Sequence, residues 1–173
     1  DAAAAAGFCE SLGMQQIQGA RYVIIEPGGL VLPFFEDSGL VLEDIATGSV
    51  ELTKLVVEFY NATHQWDEAE MTLGGAQKML LDDATGAQGA IVLRDKPKAQ
   101  GGKILSFAIS YTPARVDAPA DVLLGWNPEL SEEESAEPIR GMLAMLVHQY
   151  PVKLEVDESM VVLSSLVDVL IGA

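Results

Sequence analysis

A chain of 173 residues is long enough for one globular domain, and its apolar fraction of 49% lies in the range of folded proteins. The formal net charge of −16 would repel the phosphates of nucleic acids and of anionic membranes, so neither is expected as a partner. No apolar run reaches the roughly 18 residues of a membrane span, and the single cysteine, Cys9, excludes an internal disulfide.

The amino end lacks a methionine and begins with Asp1 followed by five alanines. Either a presequence has been removed or the chain has been trimmed. The first alternative would place the protein in an organelle or an exported compartment. We expect one α+β domain over residues 1–173, with residues 1–6 flexible.

Strands and two helices are predicted in the first part of the chain. Residues 2–18 have a helical pattern in which Phe8 and Leu12 would face inward. Short apolar or β-branched runs at residues 22–25, 30–35 and 40–42, separated by glycine-containing turns, predict strands. After Thr47-Gly48-Ser49, apolar residues recur at helical spacing and predict a middle helix: Leu52, Leu55, Val56, Phe59 and Tyr60.

From residue 71 the pattern changes to short apolar runs between turns that contain glycine or aspartate. Such runs at residues 71–73, 78–81, 89–93 and 104–111 predict an antiparallel meander, with a polar hairpin tip at residues 94–103. Residues 112–125 contain two prolines and are predicted to form an irregular connection.

The last part of the chain predicts helix, strand and helix. Ser131 and Glu134 have the spacing of a capping box, and a helical apolar pattern follows from Ile139. Pro138 leaves two alternatives open: an acidic turn before a helix that begins near Pro138, or one kinked helix. A strand at residues 152–156 and a second helix at residues 160–170 come next. The predicted fold is α+β: an antiparallel β-meander packed against N-terminal, middle and two C-terminal helices.

Residues suited to catalysis or metal binding are sparse. His64 and Glu68 would share a helical face if the middle helix extended that far, but a metal ion would need a further ligand. His148 is expected at the end of a helix, where the helix dipole favours it. No serine has the context of a nucleophile elbow, and no phosphate loop or dinucleotide fingerprint is present. We therefore predict no catalytic residue, no metal and no other cofactor.

Asn61-Ala62-Thr63 matches the acceptor pattern for N-glycosylation. Such triplets arise often by chance, and this one lies in a predicted helix or strand. We interpret it as a chance match, although the sequence alone leaves its use open.

Two charge clusters of opposite sign are the candidate partner-binding residues. Four of the ten basic residues lie within ten positions on the predicted hairpin tip: Arg94, Lys96, Lys98 and Lys103. The run from residue 129 to residue 137 holds five glutamates and no basic residue, with Glu132, Glu133 and Glu134 at its centre. Solubility, edge protection and the helix dipole explain both clusters without a partner. Alternatively, they would orient docking into a larger assembly.

The composition supports three functional hypotheses. The first is a non-enzymatic protein-binding accessory subunit or assembly factor, because a mean hydropathy of +0.24 beside a charge of −16 fits a surface masked in a complex. The second is a carrier of a small apolar ligand in a cavity between sheet and helices. The third is a hydrolase or isomerase that uses paired carboxylates, with Glu58, Asp67 and Glu68 as candidates.

Overall fold

The computed structural model describes residues 8, 11–12, 20–25, 39–63, 69–82, 86–111, 120–149 and 152–157. For residues 20–25, 120–121, 132, 143–149 and 152–157 it describes the backbone alone. The described residues form six strands and three α-helices, in chain order β1 (Ala20–Ile25), β2 (Val41–Asp44), α1 (Val50–Thr63), α2 (Leu73–Leu81), β3 (Ala87–Arg94), β4 (Ile104–Tyr111), β5 (Ala120–Trp126), α3 (Glu132–Gln149) and β6 (Val152–Asp157). A short 3-10 helix, Lys98–Gln100, lies in the connection from β3 to β4.

The described strands form one sheet in the order β1-β6-β5-β4-β3-β2. Neighbouring strands from β2 to β5 are antiparallel, and β1 pairs antiparallel with β6. Strands β5 and β6 run parallel, so the chain must return along the sheet between them, and α3 makes this crossover. The α+β class and the antiparallel arrangement of β3, β4 and β5 are confirmed, whereas the parallel pair was not predicted.

Helix α1 forms where the sequence predicts the middle helix. Its side chains at positions 52, 55, 56 and 59 are buried, which is the 3, 4, 7 spacing of one helical face. Ser49 caps the start of the helix, because its hydroxyl accepts a hydrogen bond from the Leu52 N–H at 3.2 Å. The middle helix is therefore confirmed, with Val50 as its first residue.

Helix α2 corrects the prediction of strands at residues 71–73 and 78–81. Thr72 is its N-cap, and the Thr72 hydroxyl accepts a hydrogen bond from the Gly75 N–H at 3.1 Å. Gly74-Gly75, interpreted above as a turn, thus lies in the first helical turn. Ala76 and Leu80, four residues apart, are both buried. The helical period, and not strand alternation, matches this burial.

One face of the sheet packs against α1 and α2. Phe59 of α1 is fully buried and makes edge-to-face contacts with Phe107 and Trp126, at ring-centroid distances of 5.4 and 5.1 Å. A Cβ atom at Gly125 would stand only 2.2 Å from the Phe107 ring, so the closeness of strand and ring explains the glycine. The core on this side also contains Leu52, Leu55, Val56, Ala76, Leu80, Ala90, Val92, Ile104 and Ile109.

The opposite face of the sheet packs against α3. Ser106 precedes Phe107 in β4 and so points to the other face, where its hydroxyl donates a hydrogen bond to the Pro138 carbonyl at 3.1 Å. Ile139 and Met142 of α3 are fully buried. The sheet is thus covered on both faces by helices that stand in different parts of the chain.

Strand β5 corrects the prediction of an irregular connection over residues 112–125, of which residues 112–119 lie outside the described ranges. Val122 and Leu124 are buried, and Leu123 packs against the core beside α1. A strand with helices on both faces is apolar without alternation, so it lacks the usual period-two signal.

Helix α3 begins at Glu132 and continues through Pro138 to Gln149. The predicted capping box is confirmed: the Ser131 hydroxyl accepts a hydrogen bond from the Glu134 N–H at 3.2 Å, and the Glu134 carboxylate accepts one from the Ser131 N–H at 2.9 Å. The alternative in which the helix begins near Pro138 is therefore wrong.

The strands predicted at residues 22–25, 40–42, 89–93, 104–111 and 152–156 are present as β1, β2, β3, β4 and β6. Phe8 and Leu12 do not face inward as predicted, since 66% and 63% of their surfaces are exposed. The rest of the predicted N-terminal helix, the strand at residues 30–35 and the second C-terminal helix lie outside the described residues.

Candidate functional site

A buried arginine joins three elements of the fold. Arg94 is the last residue of β3, and its side chain is 1% exposed. It follows Val92 by two positions and so points to the face that α1 covers. Glu43 lies on the same face, because it pairs with Val92 across β2 and β3. Glu51 lies in the first turn of α1. We call Arg94, Glu43, Glu51 and Lys98 the Arg94 cluster.

The Arg94 guanidinium donates hydrogen bonds in three directions. Its Nη1 and Nη2 atoms bond the two carboxylate oxygens of Glu51 at 2.7 and 3.0 Å, which is the paired geometry that fits a carboxylate best. Its Nε atom bonds Glu43 at 2.9 Å, and Nη1 also bonds the Gly102 carbonyl at 2.9 Å. Strand β2, helix α1 and the β3–β4 connection are therefore held by one side chain.

Lys98 ties the same two carboxylates to the β3–β4 connection. Its Nζ atom lies 2.8 Å from a Glu51 oxygen, and its backbone N–H donates to Glu43 at 3.2 Å. Hydrogen bonds from Arg94, with a smaller contribution from Lys98, lower the pKa of Glu51 to about 2, although burial acts in the opposite direction. The same contact with Glu51 raises the pKa of Arg94. Glu51 and Arg94 therefore remain charged at neutral pH, and Glu51 cannot act there as a general acid.

The predicted hairpin tip differs from a free basic surface. Arg94 is buried in its cluster and is not on the exposed tip, because its carboxylate partners lie on β2 and α1. Lys98 is 62% exposed but pairs with Glu51. Lys103 is 71% exposed and lies 3.7 Å from Glu129. Lys96 is also exposed. Much of the positive charge is thus balanced by nearby carboxylates.

The glutamate-rich run at residues 129–137, which we call the acidic block, lies at the same end of the sheet as the hairpin tip at residues 94–103. The Lys103–Glu129 contact joins the two clusters, and Asn127 bonds the Leu105 carbonyl through its N–H at 3.0 Å. Glu133 and Glu134 are exposed, while the side chain of Glu132 is outside the description. Hydrogen bonds from the Ser131 N–H and hydroxyl lower the pKa of Glu134. The role of Glu132, Glu133 and Glu134 in partner binding stays a prediction.

Tyr111 carries a buried hydroxyl for which no hydrogen-bond partner is found in the described ranges. Burial, with a smaller contribution from Tyr60, raises the pKa of this phenol to about 12. It therefore stays protonated at neutral pH and can donate a hydrogen bond, but it cannot serve as a base.

A pocket of about 220 Å³ lies at the junction of α1 and α2, with Tyr60, Asn61, Glu70, Met71 and Gly75 among its lining residues. It is smaller than the roughly 300 Å³ at which pockets for drug-sized ligands begin. It also lies at the edge of the helical layer, whereas the predicted carrier cavity lies between sheet and helices. The carrier hypothesis therefore stays a prediction.

The candidate groups for catalysis and metal binding are placed only in part. His64, Asp67 and Glu68 lie outside the described residues, and the side chain of His148 is not described. Glu58 is exposed on α1. Where the structure is described, no three His, Cys, Asp or Glu side chains stand close enough to hold a metal ion. The described helices also include none that is long and apolar enough to cross a membrane.

The outward face of α2 carries two exposed leucines that the sequence analysis missed. Leu73, Gln77 and Leu81 stand at i, i+4 and i+8, so they lie along one side of the helix, and we call them the outer stripe. Leu73 is 51% exposed and Leu81 is 52% exposed. Leu81 lies against Gly48, which brings the start of α1 and the 65% exposed Val50 to the same end of α2. The i, i+8 spacing of the leucines was the signal, but the segment was predicted as strand.

No protein-family model matches the chain, and no curated protein matches it either.

Proposed function

We propose that the protein is a non-enzymatic, protein-binding accessory subunit or assembly factor, and that it docks a partner on the outer surface of α1 and α2. The observation that supports this proposal is the exposure of Val50, Leu73 and Leu81, each more than half accessible to water on the helical layer. Contact with a partner would remove this aliphatic surface from water and so favour association.

The charges around the outer stripe also support docking there. The exposed charged residues of α1, α2 and residues 69–72 are Lys54, Glu58, Glu70 and Lys78, two of each sign, on a chain whose net charge is −16. A surface with balanced charge does not repel an approaching protein, and charges are scarce at the centres of interfaces. The tip lysines and acidic-block glutamates would then act as outlying contacts that set orientation.

Size exclusion and pulldown from native extract test the proposal. Wild-type protein is expected to elute in a complex and to capture a stable partner. The Leu73→Gln/Leu81→Gln variant should lose that partner while it keeps the wild-type fold, because both side chains are exposed. The matched control is Gln88→Ala/Gln100→Ala, which alters two exposed residues outside α1, α2 and the charged residues of the two clusters, and it should capture the partner as wild type does.

Two results would contradict the proposal. One is a purely monomeric wild-type protein without partners. The other is a partner that the double-leucine variant captures as well as wild type does.

A further inference from the structure

The side chain of Asn61 binds both backbone groups of one residue ten positions later. The Asn61 Oδ1 atom accepts a hydrogen bond from the Met71 N–H at 2.7 Å, and Nδ2 donates one to the Met71 carbonyl at 3.1 Å. The side-chain amide thus satisfies both backbone groups of Met71, as a paired strand would in a sheet. Met71 immediately precedes Thr72, the N-cap of α2, so this contact fixes the chain where the helix begins.

We propose that Asn61 is a positioning residue, a clasp between the end of α1 and the start of α2, and that this clasp and an N-linked glycan on Asn61 exclude each other. Asn61 is the acceptor position of the Asn61-Ala62-Thr63 triplet. The same nitrogen atom would have to serve both purposes.

The stereochemistry of the amide carries the exclusion. Glycosylation replaces one of the two hydrogens on Nδ2 by a sugar carbon and makes a secondary amide, which strongly prefers the trans form. In that form the sugar carbon stands on the same side as Oδ1. The clasp requires a hydrogen at that position, because Oδ1 and Nδ2 both face the single residue Met71. A glycan would therefore displace the Met71 carbonyl.

Amide hydrogen exchange at Met71, followed by NMR, tests the clasp. We expect Asn61→Ala to speed exchange of this amide by at least about tenfold, since it removes the acceptor. Asn61→Asp keeps an acceptor oxygen but sets a carboxylate against the Met71 carbonyl, so an intermediate increase is expected. Thr63→Val is the matched control: it destroys the glycosylation triplet without touching the clasp, and Met71 should exchange at the wild-type rate.

Unchanged exchange in Asn61→Ala would overturn the clasp. An equal increase in Thr63→Val would overturn it too, because fraying of the α1 end would then explain both.

The exclusion of a glycan is tested separately. The protein is secreted from cultured animal cells behind a signal peptide, and its intact mass is measured. We expect no glycan, or a glycosylated fraction whose Met71 amide exchanges as fast as in Asn61→Ala. A glycosylated protein with a fully protected Met71 amide would overturn the exclusion.

Discussion

At position 94 a guanidinium is buried because two carboxylates and a backbone carbonyl meet it there. Taking a charge out of water costs several kcal/mol, and the cost is offset only where the hydrogen-bonding groups are satisfied. Arg94 bonds Glu43, Glu51 and the Gly102 carbonyl, and the two glutamates keep 27% and 38% of their side chains exposed. The carboxylates can therefore rehydrate if the arginine is replaced, which limits the loss of stability.

Replacing Arg94 should destabilise the fold more than replacing an exposed lysine of the same connection. We expect Arg94→Met to lower the free energy of unfolding by about 2–3 kcal/mol, because Glu43 and Glu51 lose the buried guanidinium and retain their contacts with Lys98. Arg94→Lys should lose somewhat less, since an ammonium cannot bond both oxygens of Glu51 in parallel. Urea unfolding measures both. Lys96→Met, at an exposed position, is the control and should change stability by under about 0.5 kcal/mol. A loss in Lys96→Met equal to that in Arg94→Met would contradict a stabilising role for the Arg94 cluster.

The pKa of Glu51 sets a pH window for stability. It falls from 4.5 to about 2 on folding, so the stabilising charge is fully present above pH 4.5 and is lost as the pH falls towards 2. Because the Glu51 side chain is 38% exposed, solvent screening reduces the contribution to about 1–2 kcal/mol.

Unfolding of wild type and Glu51→Gln should therefore differ by this amount at pH 7, and the difference should shrink as the pH falls from 4.5 towards 2. Glu133→Gln, at an exposed position, serves as the control. If the difference in unfolding free energy between wild type and Glu51→Gln stays constant down to pH 2, the charge of Glu51 does not contribute to stability.

At the scale of single elements, the start of α3 depends on reciprocal capping. Ser131→Ala removes the hydroxyl that accepts from the Glu134 N–H, so we expect a loss of about 1 kcal/mol in the free energy of unfolding. The pKa of Glu134 should rise towards its ordinary value, because one of the two hydrogen bonds from Ser131 disappears. NMR titration of the Glu134 carboxyl measures this. Ser131→Thr keeps the hydroxyl and should retain both properties.

Strand β5 tolerates no side chain where it passes Phe107. A methyl group at position 125 would stand 2.2 Å from the ring, which is itself fully buried against Phe59. We expect Gly125→Ala to cost about 1–3 kcal/mol through overpacking, measured by urea unfolding. Gly89→Ala is the matched control, since its methyl would meet only the Ser110 hydroxyl at 3.5 Å. Equal losses in both variants would point to strand flexibility and not to the ring.

Periodicity predicted the elements that bury one face. Helix α1, the β3–β4 hairpin and the Ser131–Glu134 capping box could be found from the sequence because each carries its own local signal. Helix α2 could not, because it has only nine residues and its first turn contains a glycine pair that resembles a turn between strands. Strand β5 could not, because burial on both faces removes alternation. The Arg94 cluster was also hidden, since Glu43 and Glu51 stand 51 and 43 residues from Arg94 in sequence.

At the scale of the whole molecule, apolar surface and charge are unevenly arranged. The charged clusters meet at one end of the sheet, where lysines and glutamates pair with each other. The outer stripe and Val50 lie on a helical layer where, among the described residues of α1, α2 and 69–72, the exposed charged residues are Lys54, Glu58, Glu70 and Lys78, two of each sign. In a chain with net charge −16, such a surface is where another protein can approach without repulsion. Docking on α1 and α2 is the central claim of this account.

Photo-crosslinking in native extract tests that claim most directly. A photo-reactive amino acid replaces Gln77, the neutral residue between Leu73 and Leu81, or Gln88, an exposed residue of β3. We expect one discrete adduct from position 77 and none of the same mass from position 88. Unlabelled wild-type protein in excess should compete this adduct away, whereas Leu73→Gln/Leu81→Gln should not. The same adduct from both positions, or competition by the double variant equal to wild type, would contradict docking on α1 and α2.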